Sequence, residues 1–199
     1  MSSMAEWDER FARGDHARSD PDPFLLTSAK YWPLLPEWNS FLAKPATGRK
    51  ALDAACGAGR HAVYLAEAGF DVTAADFSLQ GLEAAQTLAT SRQVTIETRN
   101  VDLEAAGVDL GVAAFDLAAV FFYLHRPLFA VLERCLRPGG LLIYKTYSID
   151  QLRYPGRPRH RTYMLEHNEL LWEFSSFRVL RYEEEWEGRG TAALIAQKP

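Results

Sequence analysis

Gly57 and Gly59 stand two apart between a pair of aspartates, Asp53 four residues before the first glycine and Asp76 seventeen after the second. Glycine in a tight turn lets backbone approach a bound molecule with no Cβ in the way. A carboxylate ending the next strand accepts hydrogen bonds from both hydroxyls of a ribose. Asp102 adds a third acid, and "LRPGGLLI" a second glycine-marked turn. A Gly-x-Gly turn alone is a weak signal. The order of these four features points to a nucleoside site.

Two ligand classes compete for such a turn. Gly57-x-Gly59-x-x-Ala62 fits a dinucleotide fingerprint, in which a helix N-terminus meets a pyrophosphate, as in nicotinamide-dependent oxidoreductases. Asp53 opposes that reading, because a carboxylate beside the turn repels phosphates. The same carboxylate suits a ligand with an ammonium and a sulfonium group, and S-adenosylmethionine is such a ligand.

The elements that must hold these residues follow from periodicity. From Ala51 to Lys198, short apolar runs alternate with longer amphipathic ones, the pattern of βαβ units around a largely parallel sheet, so the fold class is α/β. Strands are expected over Lys50 to Ala54, Asp71 to Ala75, Val94 to Arg99, Phe115 to Phe121 and Leu141 to Tyr147, with helices such as "LQGLEAAQTLATSR" between them. Gly69 and Gly139-Gly140 read as helix ends. Near the C-terminus only Gly188-Arg189-Gly190 separates "FRVLRYEEEWE" from "TAALIAQ", so these two runs are expected to form an antiparallel hairpin. Asp150 to Tyr163 reads as a long exposed loop and Met164 to Phe174 as an amphipathic helix.

The 199 residues suit one domain, with residues 1–45 as a leading helical segment and 48–199 as the core. A hydrophobic fraction of 48% with 24% charged residues is that of an ordinary globular protein. The net charge of -4 argues against a nucleic-acid partner and against an anionic membrane surface. The longest apolar run, Ala118 to Leu124, is too short to span a bilayer, and the charged N-terminus makes a cytoplasmic protein the expectation. Cys56 and Cys135, the only cysteines, are expected as reduced thiols. The histidines lack the short-range spacing of a metal site, and none is expected.

On "LDAACGAGR", "DVTAAD", "NVDLE", "YLHRPLF", "LRPGGLLIYKTY" and the leading "WDERFARGD" before "PDPFL", the chain resembles the class I S-adenosylmethionine-dependent methyltransferases, most closely their tellurite-resistance and thiopurine-type branch. The resemblance implies a Rossmann-like doubly wound sheet of order 3-2-1-4-5-7-6, strand seven antiparallel, with helices on both faces. It also implies S-adenosylmethionine as cofactor, with Asp53, Gly57 and Gly59 at its methionine end, Asp76 at the ribose, Asp102 and the backbone of Leu103 at the adenine, and Phe121 beneath the sulfonium. Cys56, Arg60 and Phe77 are further expected cofactor-binding residues. Trp7 and Phe11, spaced i, i+4, form either a packing stripe or a lid over the cofactor. Ala55 stands where many members carry their first glycine, and tighter packing there is expected.

Several candidates have a structural reading beside the chemical one. Asp53 and Asp102 suit helix caps as well as ligands. Cys56 has no evident base, which favours filling of the turn over nucleophilic chemistry. Tyr123 and His125, after the fourth strand, are candidates to face the transferred methyl group, although His125 also suits a helix start. Arg157, Arg159, His160 and Arg161 form a basic cluster against an acidic background, either a solvated surface or an anion-binding flap over a small-molecule acceptor. The end of the fourth strand, "FFYLHRP", lacks the Asn/Asp-Pro-Pro-aromatic element of enzymes that methylate nucleobase amino groups.

Overall fold

The computed structural model describes residues 9, 13, 19–36, 48–156 and 158–199. Its seven strands form one sheet in the order β3-β2-β1-β4-β5-β7-β6. The strands are β1 (Lys50–Ala54), β2 (Asp71–Asp76), β3 (Glu97–Asn100), β4 (Phe115–Phe121), β5 (Leu136–Tyr147), β6 (Arg178–Glu185) and β7 (Thr191–Gln197). This is the Rossmann-like order implied by the resemblance, with the seventh strand reversed. The chain divides into two compact units, Met1–Val108 and Asp109–Pro199.

In the first unit β1 pairs parallel with β2, and β2 with β3. Parallel pairing demands crossovers, and α2 (Arg60–Glu67) and α3 (Leu79–Ser91) supply them. β1 is apolar on both faces apart from Asp53, and Ala51, Leu52 and Ala54 are wholly buried. Ser78 caps α3 by accepting the Gly81 N–H at 3.0 Å. Ahead of β1, α1 (Pro23–Ser28) starts with a proline and is capped by Asp22, which accepts the Phe24 N–H at 2.9 Å. A 3-10 turn follows, from which Trp32 packs edge-on against Phe70 with ring centres 5.3 Å apart.

In the second unit β4 and β5 run parallel, with α4 (Leu128–Cys135) between them in the chain. β7 lies antiparallel between β5 and β6 and is buried over almost its whole length. A short helix, α5 (Glu169–Glu173), packs on β7.

Four expectations are corrected. The third strand begins at Glu97 and not at Val94, because Gln93 is left-handed (φ +58°) and the Val94 N–H closes the end of α3 on the Ala89 carbonyl. Gly139 and Gly140 lie within β5 and end no helix. They form an irregularity in which β5 advances from Leu136 to Leu141 while β4 advances from Phe115 to Leu117. A Cβ on Gly140 would sit 2.9 Å from the Arg137 carbonyl oxygen, so the bend needs glycine. The helix expected over Met164 to Phe174 shrinks to α5. Met164 and Leu165 are extended instead, and the Leu165 N–H donates to the Tyr147 carbonyl at 2.9 Å, before Asn168 turns left-handed (φ +61°). Among the exposed residues expected of Asp150 to Tyr163, Asp150 and Gln151 are buried in a 3-10 turn.

Candidate functional site

The turn after β1 is built from backbone bonds. Ala55, Gly57 and Gly59 all have positive φ, +57°, +52° and +77°. Successive left-handed residues are cheap for glycine and costly for alanine. A Cβ on Gly59 would also meet the Ala85 Cβ at 2.4 Å, so this glycine is required by packing against α3. The Cys56 N–H donates to the Ala75 carbonyl at 3.1 Å, and the Gly59 N–H to the Cys56 carbonyl at 3.0 Å. The turn is thereby tied to the end of β2.

Two aspartates complete it. Asp76 accepts the Gly57 N–H at 2.8 Å on one oxygen and the Ser78 N–H at 2.9 Å on the other. Each carboxylate oxygen has two lone pairs, so a backbone bond does not exhaust it. Asp53, only 1% exposed, accepts the Ala62 N–H in the first turn of α2 at 2.9 Å through Oδ2. Its Oδ1 is buried with no hydrogen-bond partner. Burial pushes the Asp53 carboxyl up to about 7, against the pull of the Ala62 N–H, and nearby Asp76 adds to the rise. A buried polar oxygen without a partner is costly; the Arg60 charge offsets only part of the rise, and a cationic ligand would supply the missing bond and further counter-charge. An S-adenosylmethionine molecule, with its ammonium and sulfonium, fits this donor set, and phosphate does not.

Cys56 is a buried free thiol. Burial, with Asp53 and Asp76 nearby, pushes it well above the usual thiol range, which suits filling of the turn and disfavours a thiolate nucleophile. Arg60 opens α2 and reaches toward the Asp20 carbonyl at 3.4 Å. Phe77 is half-buried. Asp102 is exposed and accepts the Glu104 N–H at 2.9 Å within its own turn, whereas Leu103 beside it is buried. Trp7, Phe11 and Arg157 lie outside the described residues.

In the second unit Phe121 is buried at the end of β4, and Tyr123 and His125 are half-buried just beyond it. The hydroxyl of Tyr144, buried in β5, donates to the Tyr123 carbonyl at 2.8 Å, and the His125 carbonyl accepts the Leu128 N–H at 3.0 Å. His125 therefore stands at the start of α4. Between these residues Phe122 is left-handed (φ +56°), a strained state for a bulky side chain. Arg159 and His160 are exposed, and Arg161 is paired with Glu166 at 2.7 and 3.0 Å.

One residue escaped the sequence analysis. Arg189, in the turn between β6 and β7, lies with its guanidinium 4.9 Å from the Phe122 ring centre and 5.3 Å from that of Tyr147. The signal in the sequence is a single arginine between Gly188 and Gly190, in the expected antiparallel hairpin.

Known proteins converge on this architecture. Residues 51–140 match the model of the Methyltransferase domain family. Hemagglutinin 1 of Eikenella corrodens is 27% identical over 139 residues, 68% of this chain and 46% of that protein. A protein of Geobacillus sp. (strain WCH70) named as a methyltransferase is 42% identical over 66 residues, 30% of this chain and 27% of its own. The chain thus spans less than half the length of the curated relatives it matches. Among solved structures, TehB from Haemophilus influenzae superposes with a TM-score of 0.71 at 18% identity, over 96% of this chain and 67% of that one. At that identity the likeness is one of fold. Residues 51–140 thus carry a methyltransferase-domain match, on a strand order and an acid-lined glycine turn that fit the Rossmann-like methyltransferase fold.

Proposed function

We propose that the chain transfers a methyl group from S-adenosylmethionine to a small acceptor that is soft or anionic, a chalcogen oxyanion, a thiol or a related metabolite. The observation that carries this reading is Asp53, a buried carboxylate with one orphaned oxygen beside a glycine turn, in want of a cationic partner. When bound, S-adenosylmethionine supplies an electrophilic methyl group on a positively charged sulfur. The chain's own residues bind and orient. Asp53 holds the cationic end, Asp76 the ribose hydroxyls, and the Gly57 to Gly59 backbone leaves room for close approach.

No strong general base is required, because alignment alone contributes up to about 7 to 11 kcal/mol in favourable cases and an anionic acceptor arrives already deprotonated. Such an acceptor also loses charge separation on reacting, which a water-poor site favours. Tyr123 and His125 are then positioning groups at the exit of β4. The acidic net charge supports a small molecule over a nucleic acid.

The test is to incubate the chain with isotopically labelled donor and a panel of chalcogen oxyanions, thiols and nucleic acids. Label in the oxyanions or thiols supports the reading, and label confined to nucleic acids overturns it. Calorimetry with Asp76→Ala is expected to weaken donor binding roughly 100-fold, the worth of two charge-assisted hydrogen bonds. Unchanged affinity would remove Asp76 from the ribose.

A further inference from the structure

Among the described arginines of the second unit, Arg126, Arg137, Arg153, Arg161 and Arg181 each have a carboxylate within 3.2 Å, and Arg134 has one at 3.4 Å. Arg159, Arg178 and Arg189 have none among the described residues, and of these Arg159 and Arg178 are exposed, whereas Arg189 is half-buried in a protein of net negative charge. A partly desolvated guanidinium without a counter-ion is costly to keep. What holds it is aromatic. It lies over the rings of Phe122 and Tyr147, themselves 5.3 Å apart at 50°, and one N–H reaches the Tyr147 hydroxyl at 3.4 Å. Stacking uses the flat faces of a guanidinium and leaves its in-plane N–H donors for another partner.

Each part of this assembly is fixed in advance. The strained Phe122 backbone is pinned by donation of its N–H to the Lys145 carbonyl at 2.8 Å. Gly190 is locked against the 3-10 turn, since a Cβ there would lie 2.0 Å from the Gln151 nitrogen, and its carbonyl accepts the Ser148 N–H at 3.1 Å. Strain at an aromatic residue, a rigid turn and an unpaired guanidinium coincide where β4 and β5 end, the edge at which open α/β sheets bind their ligands.

We infer that Arg189, stacked on Phe122 and Tyr147, is an acceptor-recognition residue that binds a two-oxygen anionic group, carboxylate or oxyanion, by paired N–H bonds. This rests on the methyl-transfer reading for its biological sense and on the geometry alone for anion binding. It also moves the anion site away from the loop around Arg161, whose charge is already matched by Glu166.

Two experiments separate these claims. Isothermal titration of the full chain without donor uses mercaptoacetate as the carboxylate probe and selenite as the oxyanion probe. The wild type is expected to bind at least one, and the arm that binds names the source. Arg189→Gln should weaken that binding roughly ten- to hundred-fold, with Arg189→Lys recovering part of it. Donor affinity and the thermal midpoint should stay near wild type in both variants. Binding of neither probe by the wild type, or equal binding by Arg189→Gln, overturns the inference. In the labelled-donor assay, Arg189→Gln should raise KM for mercaptoacetate and leave KM for neutral 2-mercaptoethanol unchanged. An equal rise in both would mark a structural role and overturn it as well. Anion binding without methyl transfer to any member of the panel would instead defeat the methyl-transfer reading and leave the anion site standing.

Discussion

The two units hold their carboxylates differently. In the first, Asp76 and Asp53 answer to backbone: Asp76 accepts from Gly57 and Ser78, and Asp53 from Ala62. In the second, side chains join the backbone, which supplies the Glu166 N–H to Glu169 and the Asn168 N–H to Glu184. Glu169, 7% exposed, accepts from Arg126 at 2.6 and 2.9 Å, Asp116 takes both bonds of Arg137 at 3.0 Å, and Glu184 pairs with His167 at 2.8 Å. A carboxylate fixed by backbone has a position set by the fold, as suits a site that must hold one ligand in one place. A carboxylate fixed by another side chain can be exchanged with its partner at little cost to the fold. The second unit is therefore where side-chain partners can be exchanged with least cost to the fold.

Four substitutions probe this contrast. Gly190→Ala is expected to cost the most, about 3 kcal/mol or more, because the new Cβ meets backbone that cannot move away. Thermal or urea unfolding checks it, and a midpoint near wild type would mean that the turn of the second unit is adaptable.

Arg126→Ala comes next. It leaves the buried Glu169 with only the Glu166 N–H, at 2.7 Å, and releases the Thr162 and Met164 carbonyls. Arg126 is partly exposed, so a loss of about 2 kcal/mol is expected, below the full value for a broken buried pair. The double variant Arg126→Ala, Glu169→Gln should recover part of that loss, since a neutral side chain no longer needs the guanidinium. No recovery would show that the pair acts through packing.

Asp53→Asn tests the backbone-held half by pH. The carboxyl is raised from 3.8 to about 7 in the folded chain, so the folded state keeps this proton after the unfolded state has lost it. Its contribution to stability therefore falls as pH rises from about 4 to about 7 and is constant above, by roughly 4 kcal/mol at most. Asp53→Asn should flatten that slope in urea unfolding. Donor affinity should move the other way, strengthening as pH rises through about 7, because a cation favours the ionised form. The variant should bind donor weakly with no such rise. A wild-type affinity independent of pH would break the link between Asp53 and a cation.

Ala55→Gly is expected to give the smallest effect, a gain of about 0.5 to 1 kcal/mol in thermal unfolding, since glycine accepts the left-handed backbone without strain. A loss would mean that the methyl group's packing outweighs the strain.

The parallel part of the sheet was legible where a strand is a short, mostly apolar run. β1 and β4 fall on their expected residues for that reason. It was less so at the polar β3, whose start was misjudged. Misjudged boundaries have two causes, local turns such as the one at Gln93 and long-range hydrogen bonds that outweigh local pattern. Leu165 lies in a stretch that reads as an amphipathic helix, yet its N–H donates to the Tyr147 carbonyl and its carbonyl accepts the Ile149 N–H. The acids of the glycine turn were legible from their order. Arg189 was not, because its role depends on a positive φ at Phe122 that no residue type announces.

Both outer strands of the sheet are written in charge. β3 reads Glu-Thr-Arg-Asn and is exposed throughout, and β6 carries Arg178, Arg181 and the acidic run Glu183 to Glu185. The unpaired amide rows at such borders invite strand addition by another chain, and ionised side chains deter it by demanding water. Growth of the sheet into a fibre is thus checked at either margin, even though β7, one place inward, is as apolar as an aggregating segment. A few charged residues at the border keep a greasy interior strand from becoming a template.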